Sequence, residues 1–433
     1  MKRTLIVIVL ALAVGILARV SLASEEEYTV IKGARIVPVV GEDIAEGMLI
    51  IRGERIEAVG RDLSIPPGAR IIDATGLSAY PGMIDGYSFL GLSEISSIAA
   101  TVDYRETGRI NPQLRSTEAL RPESMHIPIT RSNGITAALV VPTGGLIAGQ
   151  SGLIRLVGWT PAEMVIKSPL AMHVELPGLG RAGFRRQPAS REEASKQLLE
   201  LKDWLNKARS YDRRRDAAAK NVLFRLPDFD EKLESLIPVI RGELPVMISV
   251  HADKDILAAI QLVQEEKVKA IFFGVTQGWK VAEEIAKAEI PVVFGSLYEM
   301  PPSWEDGYDA LYRNPSVLSK AGVKIAFSSQ SASLAKDLPY HAAKAAAFGL
   351  DKREALKAVT IYPAEIFGVA QMMGSLEKGK LANIVLTNGD ILELRTTIHK
   401  VFIDGKEVDL SSRYTELLEK YKPRTRMKLE KRL

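Results

Sequence analysis

Between residues 80 and 372 the sequence alternates short, nearly continuous apolar runs with amphipathic helical stretches. The runs fall at 79–84, 135–141, 170–174, 244–250, 270–273, 291–295 and 323–328. The helical stretches fall at 191–219, 229–241, 253–266, 278–288, 306–320, 336–348 and 351–359. A strand that is apolar along its whole length must be covered on both faces. In a strand–helix alternation that means a parallel sheet with helices packed against it, so the predicted fold class is α/β. A closed (β/α)8 TIM-type barrel fits the size, although these runs supply seven strands. A doubly wound open sheet is the alternative, yet no glycine-rich dinucleotide turn follows the first strand.

Outside that middle the texture changes. Residues 28–79 are short apolar runs broken by turn residues, as in GMLIIRGERIEAVG. The same pattern returns in GSLEKGKLANIVLTNG (374–389) and HKVFIDGKEVDL (399–410). Residues 24–79 and 373–412 are therefore expected to build one small β-sandwich from both chain ends, beside a barrel of residues 80–372.

Residues 1–23 combine Lys2 and Arg3 with an apolar run over 5–18 and with Ser21-Leu22-Ala23, the form of a cleavable signal peptide. The run falls short of the ~18 residues that span a bilayer, which disfavours an uncleaved anchor. A secreted or periplasmic protein with no stable membrane span is expected. Net charge is only +4, which argues against a nucleic-acid partner. The basic excess gathers in residues 413–433, read as a solvated tail in preference to an anchor on an anionic surface. With no cysteine, disulfides, zinc–thiolate sites and thiol nucleophiles are excluded together. Any metal must be held by carboxylates and by His126, His173, His251, His341 or His399.

Three motifs follow one another around the barrel-sized middle: PGMID (81–85), TIYPAEIFG (360–368) and GSLEKGKLANIV (374–385). Together they resemble the amidohydrolase superfamily, in the branch of imidazolonepropionase and related cyclic-amide hydrolases. The resemblance covers essentially the whole chain after residue 23. It implies a barrel beside a small sandwich built from both ends, and hydrolysis of C–N bonds in small molecules such as cyclic amides. It also implies a divalent metal, commonly zinc, that lowers the pKa of a bound water, and a homo- or hetero-dimer.

Matched position by position, the family pattern Pro-Gly-x-Ile-Asp-x-His-x-His keeps Pro81, Gly82, Ile84 and Asp85, but Tyr87 and Phe89 replace both histidines. His251, in Val250-His251-Ala252-Asp253, matches a later metal ligand. Phe272-Phe273-Gly274-Val275-Thr276 lacks the next histidine, and Gln330 follows Ser329 where the resemblance places a catalytic aspartate. One ligand remains against the usual three.

Other residues admit two readings each. His173 with His251 and Glu94 forms either an unorthodox metal site or a set of strand-end side chains bonded to their neighbours. Asp85 is an acid at the mouth or a structural acceptor. The glycine-rich stretch 142–152 is an anion cradle or a tight turn, with Gln150 and Ser151 as ligand contacts. Ser328, Ser329, Ser331 and Ser333 lack a nucleophile elbow. The loop 299–306, with Trp304, is a candidate lid. The expected pocket is Tyr87, Phe89, Glu94, Gln150, Ser151, His173, Thr276 and Gln330. Two functions follow: a hydrolase with an altered metal site, or a non-catalytic barrel that binds a small molecule or a partner protein.

Overall fold

The computed structural model describes residues 27–430 except 177, 179–189, 222, 302 and 304; the segment 1–23 read as a signal peptide and Trp304 lie outside the described residues. The chain begins with β1 (Tyr28–Ile36), β2 (Ile44–Arg52), β3 (Arg55–Gly60), β4 (Arg70–Asp73) and β5 (Ser78–Pro81). Only Gly82 separates β5 from β6 (Met83–Ser88), where the barrel starts. A Cβ at Gly82 would meet Thr136 Oγ1 at 2.2 Å, so a glycine is required for the chain to pass between the two sheets.

The barrel sheet runs in sequence order through β6, β7 (Ile135–Val140), β8 (Ile147–Arg155), β9 (Val165–Glu175), β10 (Val246–Val250), β11 (Ala270–Gly274), β12 (Val292–Phe294) and β13 (Ile325–Phe327). Every neighbouring pair is parallel except β7–β8 and β8–β9. The barrel is therefore not made of eight β/α units: β8 is reversed and sits inside a meander. This corrects the reading of 142–152 as a loop. From Ile147 onward it is a strand, buried along nearly its whole length. Its glycines serve close approach. At Gly149 (φ +130°) a Cβ would lie 2.7 Å from Leu114 O, and at Gly152 one would lie 2.4 Å from Thr117 Cγ2. The segment 105–117 lies against β8 in place of a helix, with Asn111 N donating to Ile147 O (2.8 Å) and Gln150 N to Leu114 O (2.7 Å).

The outer strands β6 and β13 share no ladder but approach closely enough to nearly close the barrel. Gln330 N donates to Tyr87 O at 2.9 Å, and Gly86 has room for no Cβ because Phe327 O would stand 2.9 Å from it. Alternation along β7 separates inside from outside. Ala137 and Leu139 join one cluster with Met247, Ile271 and Val293, while Ala138 and Val140 join the layer beneath the helices. Each such aliphatic side chain removed from water contributes about 1.5–3 kcal/mol, so the filled interior is a main source of stability.

The helices are α1 (His126–Arg131), α2 (Pro161–Met164), α3 (Arg191–Lys220), α4 (Glu231–Ile240), α5 (Asp253–Glu266), α6 (Ala282–Lys287), α7 (Ala310–Lys320), α8 (Leu338–Ala347), α9 (Lys352–Lys357), α10 (Ile361–Ile366) and α11 (Arg413–Glu430). Ala364 of α10 and the following Phe367 and Met373 pack onto the interior cluster. The tail segment forms the helix α11, whose described side chains are mostly exposed.

The second sheet has the order β16 (Lys406–Glu407), β15 (Ile398–Ile403), β14 (Ile384–Thr387), β5, β1, β2, β3, with β4 paired to β1. Strands from both ends of the chain meet where β14 pairs antiparallel with β5, Ile384 opposite Pro81. One face buries Ile31, Leu49 and Phe402; the other carries a smaller cluster of Val30, Met48 and Ile50. Arg155 at the end of β8 reaches Asp404 of this sheet at 2.5 Å.

Candidate functional site

The ends of the parallel strands gather Asp85, Tyr87, Phe89, His173, His251, Phe273 and the turn after β13. The register of β6 against β7 shifts between Asp85 and Ser88, so this strand end departs from regular alternation. Asp85 is fully buried and lies across the gap from β13. Its Oδ1 accepts from Ser329 N (2.9 Å) and Tyr87 N (3.3 Å), and its Oδ2 accepts from Ser329 Oγ (2.5 Å). Burial pushes its carboxyl up to about 6, against the opposing pull of these hydrogen bonds. Ser88 Oγ donates to Ser331 O at 3.0 Å, adding a second tie across the same gap.

Above this clasp lies an aromatic layer. The Tyr87 ring stacks on Phe273 at 3.8 Å and 12°, and meets Phe89 and His173 edge-on, each at 5.8 Å. Phe89 stacks in turn on Tyr104 at 4.1 Å. His173 is 2% exposed, burial alone drives its imidazole down to about 3, and its Nε2 has no hydrogen-bond partner among the described residues. It is a neutral ring packed into an aromatic wall.

A family pattern described as the amidohydrolase family matches residues 312–408. An amidohydrolase of Hapsidospora irregularis is 25% identical over 379 residues, covering 79% of this chain and 37% of that protein. An adenine deaminase of Desulforamulus reducens is 23% identical over 430 residues, covering 93% of this chain and 60% of that protein. The chain thus spans less than two thirds of either curated relative. The solved structure of an amidohydrolase from Thermotoga maritima superposes with a TM-score of 0.80 at 25% identity, over 88% of this chain and 99% of that one. The chain's last barrel segment and its overall fold are thus similar to those of the amidohydrolase superfamily.

The metal that the superfamily implies does not fit the residues present. Among the described residues no three His, Asp or Glu side chains converge as a ligand set, so His173, His251 and Glu94 do not make the unorthodox site. Both Asp85 oxygens already accept hydrogen bonds. Glu94 lies by α1, where His126 Nε2 meets its main-chain oxygen at 2.9 Å, and its Oε1 is buried without a hydrogen-bond partner. Half-buried His251 packs on the face of Gly274 (φ +94°), where a Cβ would stand 2.5 Å from His251 Cε1.

The expectations for Gln150 and Ser151 are corrected by the reversed strand that carries them. Gln150 is buried and its Nε2 donates to Pro112 O at 2.8 Å; Ser151 Oγ donates to Ala171 O at 3.3 Å. Both side chains serve the sheet. Thr276 Oγ1 donates to His251 O at 3.3 Å. Gln330 sits at φ +52° with an exposed side chain. Of the remaining histidines, His341 accepts from Leu297 N at 3.1 Å and is held down at about 4 by burial, while His399 is exposed on β15. Sequence reasoning missed Phe273, Tyr104 and Ser329 as partners at the mouth. The one signal available was that Phe273 stands in the strand end that lacks its histidine.

Proposed function

We propose that this chain is a non-catalytic barrel that binds a small molecule at the strand ends. The observation that carries the reading is the Tyr87–Phe273 stack, whose rings at 3.8 Å occupy the mouth with side chains that offer a hard cation no good donor. Phe89, His251, Thr276 and Gln330 keep exposed surface at the same strand ends, where a ligand would be met. Metal-assisted hydrolysis of a non-peptide C–N bond is the second reading, and similarity to the superfamily supports it. Export rests on residues 1–23 and is tested by the N-terminal mass of the protein recovered outside the cytoplasm.

The deciding experiment is elemental analysis of the chain from Ser24 onward, before and after zinc is added, with His251→Ala alongside. The non-catalytic reading expects no retained metal in either protein and no turnover of cyclic amides or dipeptides. About one metal per chain, lost in His251→Ala, overturns it in favour of the hydrolase.

A further inference from the structure

We infer that α11 is a peripheral anchor that lays the protein on an anionic phospholipid surface. Its start is well defined. Thr415 N donates to Ser412 Oγ at 3.4 Å and Ser412 N donates to Thr415 Oγ1 at 2.8 Å, a reciprocal cap that sets the first turn. Beyond it Tyr414, Leu418 and Tyr421 fall at helical spacing on one face and are 49%, 61% and 47% exposed. Three large side chains in line on a helix, none of them covered, form an unpartnered stripe.

Charge identifies what covers it. Residues 413–433 hold eight Lys and Arg against three Glu, an excess of five, whereas the excess over the whole chain is four. The rest of the chain is therefore slightly acidic, and the basic character of the protein resides in this one segment. Two of the three acids are spent inside the helix, Glu416 on Arg413 (3.4 Å) and Glu419 on Lys422 (3.3 Å). A second copy of the chain would bring two basic segments together, which opposes self-association through α11. An anionic lipid surface complements the charge along its length. Two tyrosines around one leucine also suit the headgroup boundary, where an apolar ring and a polar hydroxyl are both accommodated. The stripe is too small for deep insertion, and no helix among the described residues is long and apolar enough to cross a membrane. The docking is shallow and electrostatic, hence salt-sensitive.

The test is co-sedimentation of the chain from Ser24 onward, which retains every described residue, with two vesicle types. One is an equal mixture of phosphatidylglycerol and phosphatidylcholine; the other is phosphatidylcholine alone. Binding is expected to the mixed vesicles only, and to fall as salt rises. The triple change Lys420→Gln, Lys422→Gln, Arg424→Gln is expected to weaken it about a hundredfold, each cation near such a surface being worth about a factor of five. Leu418→Ser is expected to weaken it too, with the urea midpoint nearly unchanged because the side chain is 61% exposed. Equal binding to both vesicles, no binding to either, or a triple variant that binds like the parent overturns the inference. Retention on immobilised polyglutamate without vesicle binding also overturns it, and assigns the helix to an acidic protein instead.

Discussion

Asp85→Asn isolates the buried carboxyl that ties β6 to β13. Burial holds this acid at about 6 rather than the ordinary 3.8, so the folded protein binds its proton more tightly than the unfolded chain does. The displacement corresponds to about 3 kcal/mol. Its sign follows from proton uptake: the Asp85 contribution is fully present below the unfolded value and is lost as pH rises through about 6. His173 and His341 act the other way, since burial holds them neutral at about 3 and about 4. The unfolded chain takes up protons on both below its ordinary value of 6.5, which destabilises the fold as pH falls. The raw curve mixes the two slopes, and only the difference between parent and variant separates them. Asparagine keeps an acceptor for Ser329 N and removes the ionisation. Urea unfolding followed by tryptophan fluorescence should show the variant gaining on the parent by up to about 3 kcal/mol between about pH 4 and about pH 7.5, at equal m-values. A difference that stays flat across that range, or shrinks with rising pH, refutes a raised Asp85 pKa and with it the closed, dry gap.

Tyr87→Ala removes the ring stacked on Phe273 and should cost about 3–5 kcal/mol in urea unfolding, with loss of near-ultraviolet dichroism. A cost below about 1 kcal/mol would mean that the mouth is open to water. Gly149→Ala places a Cβ 2.7 Å from Leu114 O at φ +130°, so a loss of about 1–3 kcal/mol in the same assay is expected. A neutral result there would show that segment 105–117 does not press against β8.

Six of the parallel strands were legible from their apolar runs, and the helices from their periodicity; α5 was placed at its observed limits, 253–266. The expected first strand, 79–84, was set too early: 78–81 pairs in the other sheet, and the barrel strand is Met83–Ser88, where Asp85 and Ser88 interrupt the apolar run. β8 was hidden by its own glycines. Gly149 and Gly152 signal a turn when read locally, whereas here they make room for Leu114 and Thr117, residues far off in sequence. The same limit applies at the mouth. Tyr87 and Phe89 could be singled out as missing ligands, but nothing local says that Tyr87 lies on Phe273, because that contact is made by the barrel's curvature. Asp85 was readable as a surviving motif residue, while its partner Ser329 lay in a serine-rich turn with no pattern to rank one hydroxyl above the next.

The reversed strand also bears on how the chain finds its fold. Most barrel neighbours are joined by long crossovers, 89–134 before β7 and 176–245 before β10, and each long closure costs chain entropy before any contact repays it. The connections 141–146 and 156–164 around β8 are short, so β7, β8 and β9 pair through near neighbours. Low contact order in one stretch gives a slow, non-local topology a local starting point. The β7–β8–β9 meander is thus the expected nucleus, with high φ-values in 135–175 and low ones in β12 and β13. The glycines that conceal this strand from a reader of the sequence would then sit where folding begins.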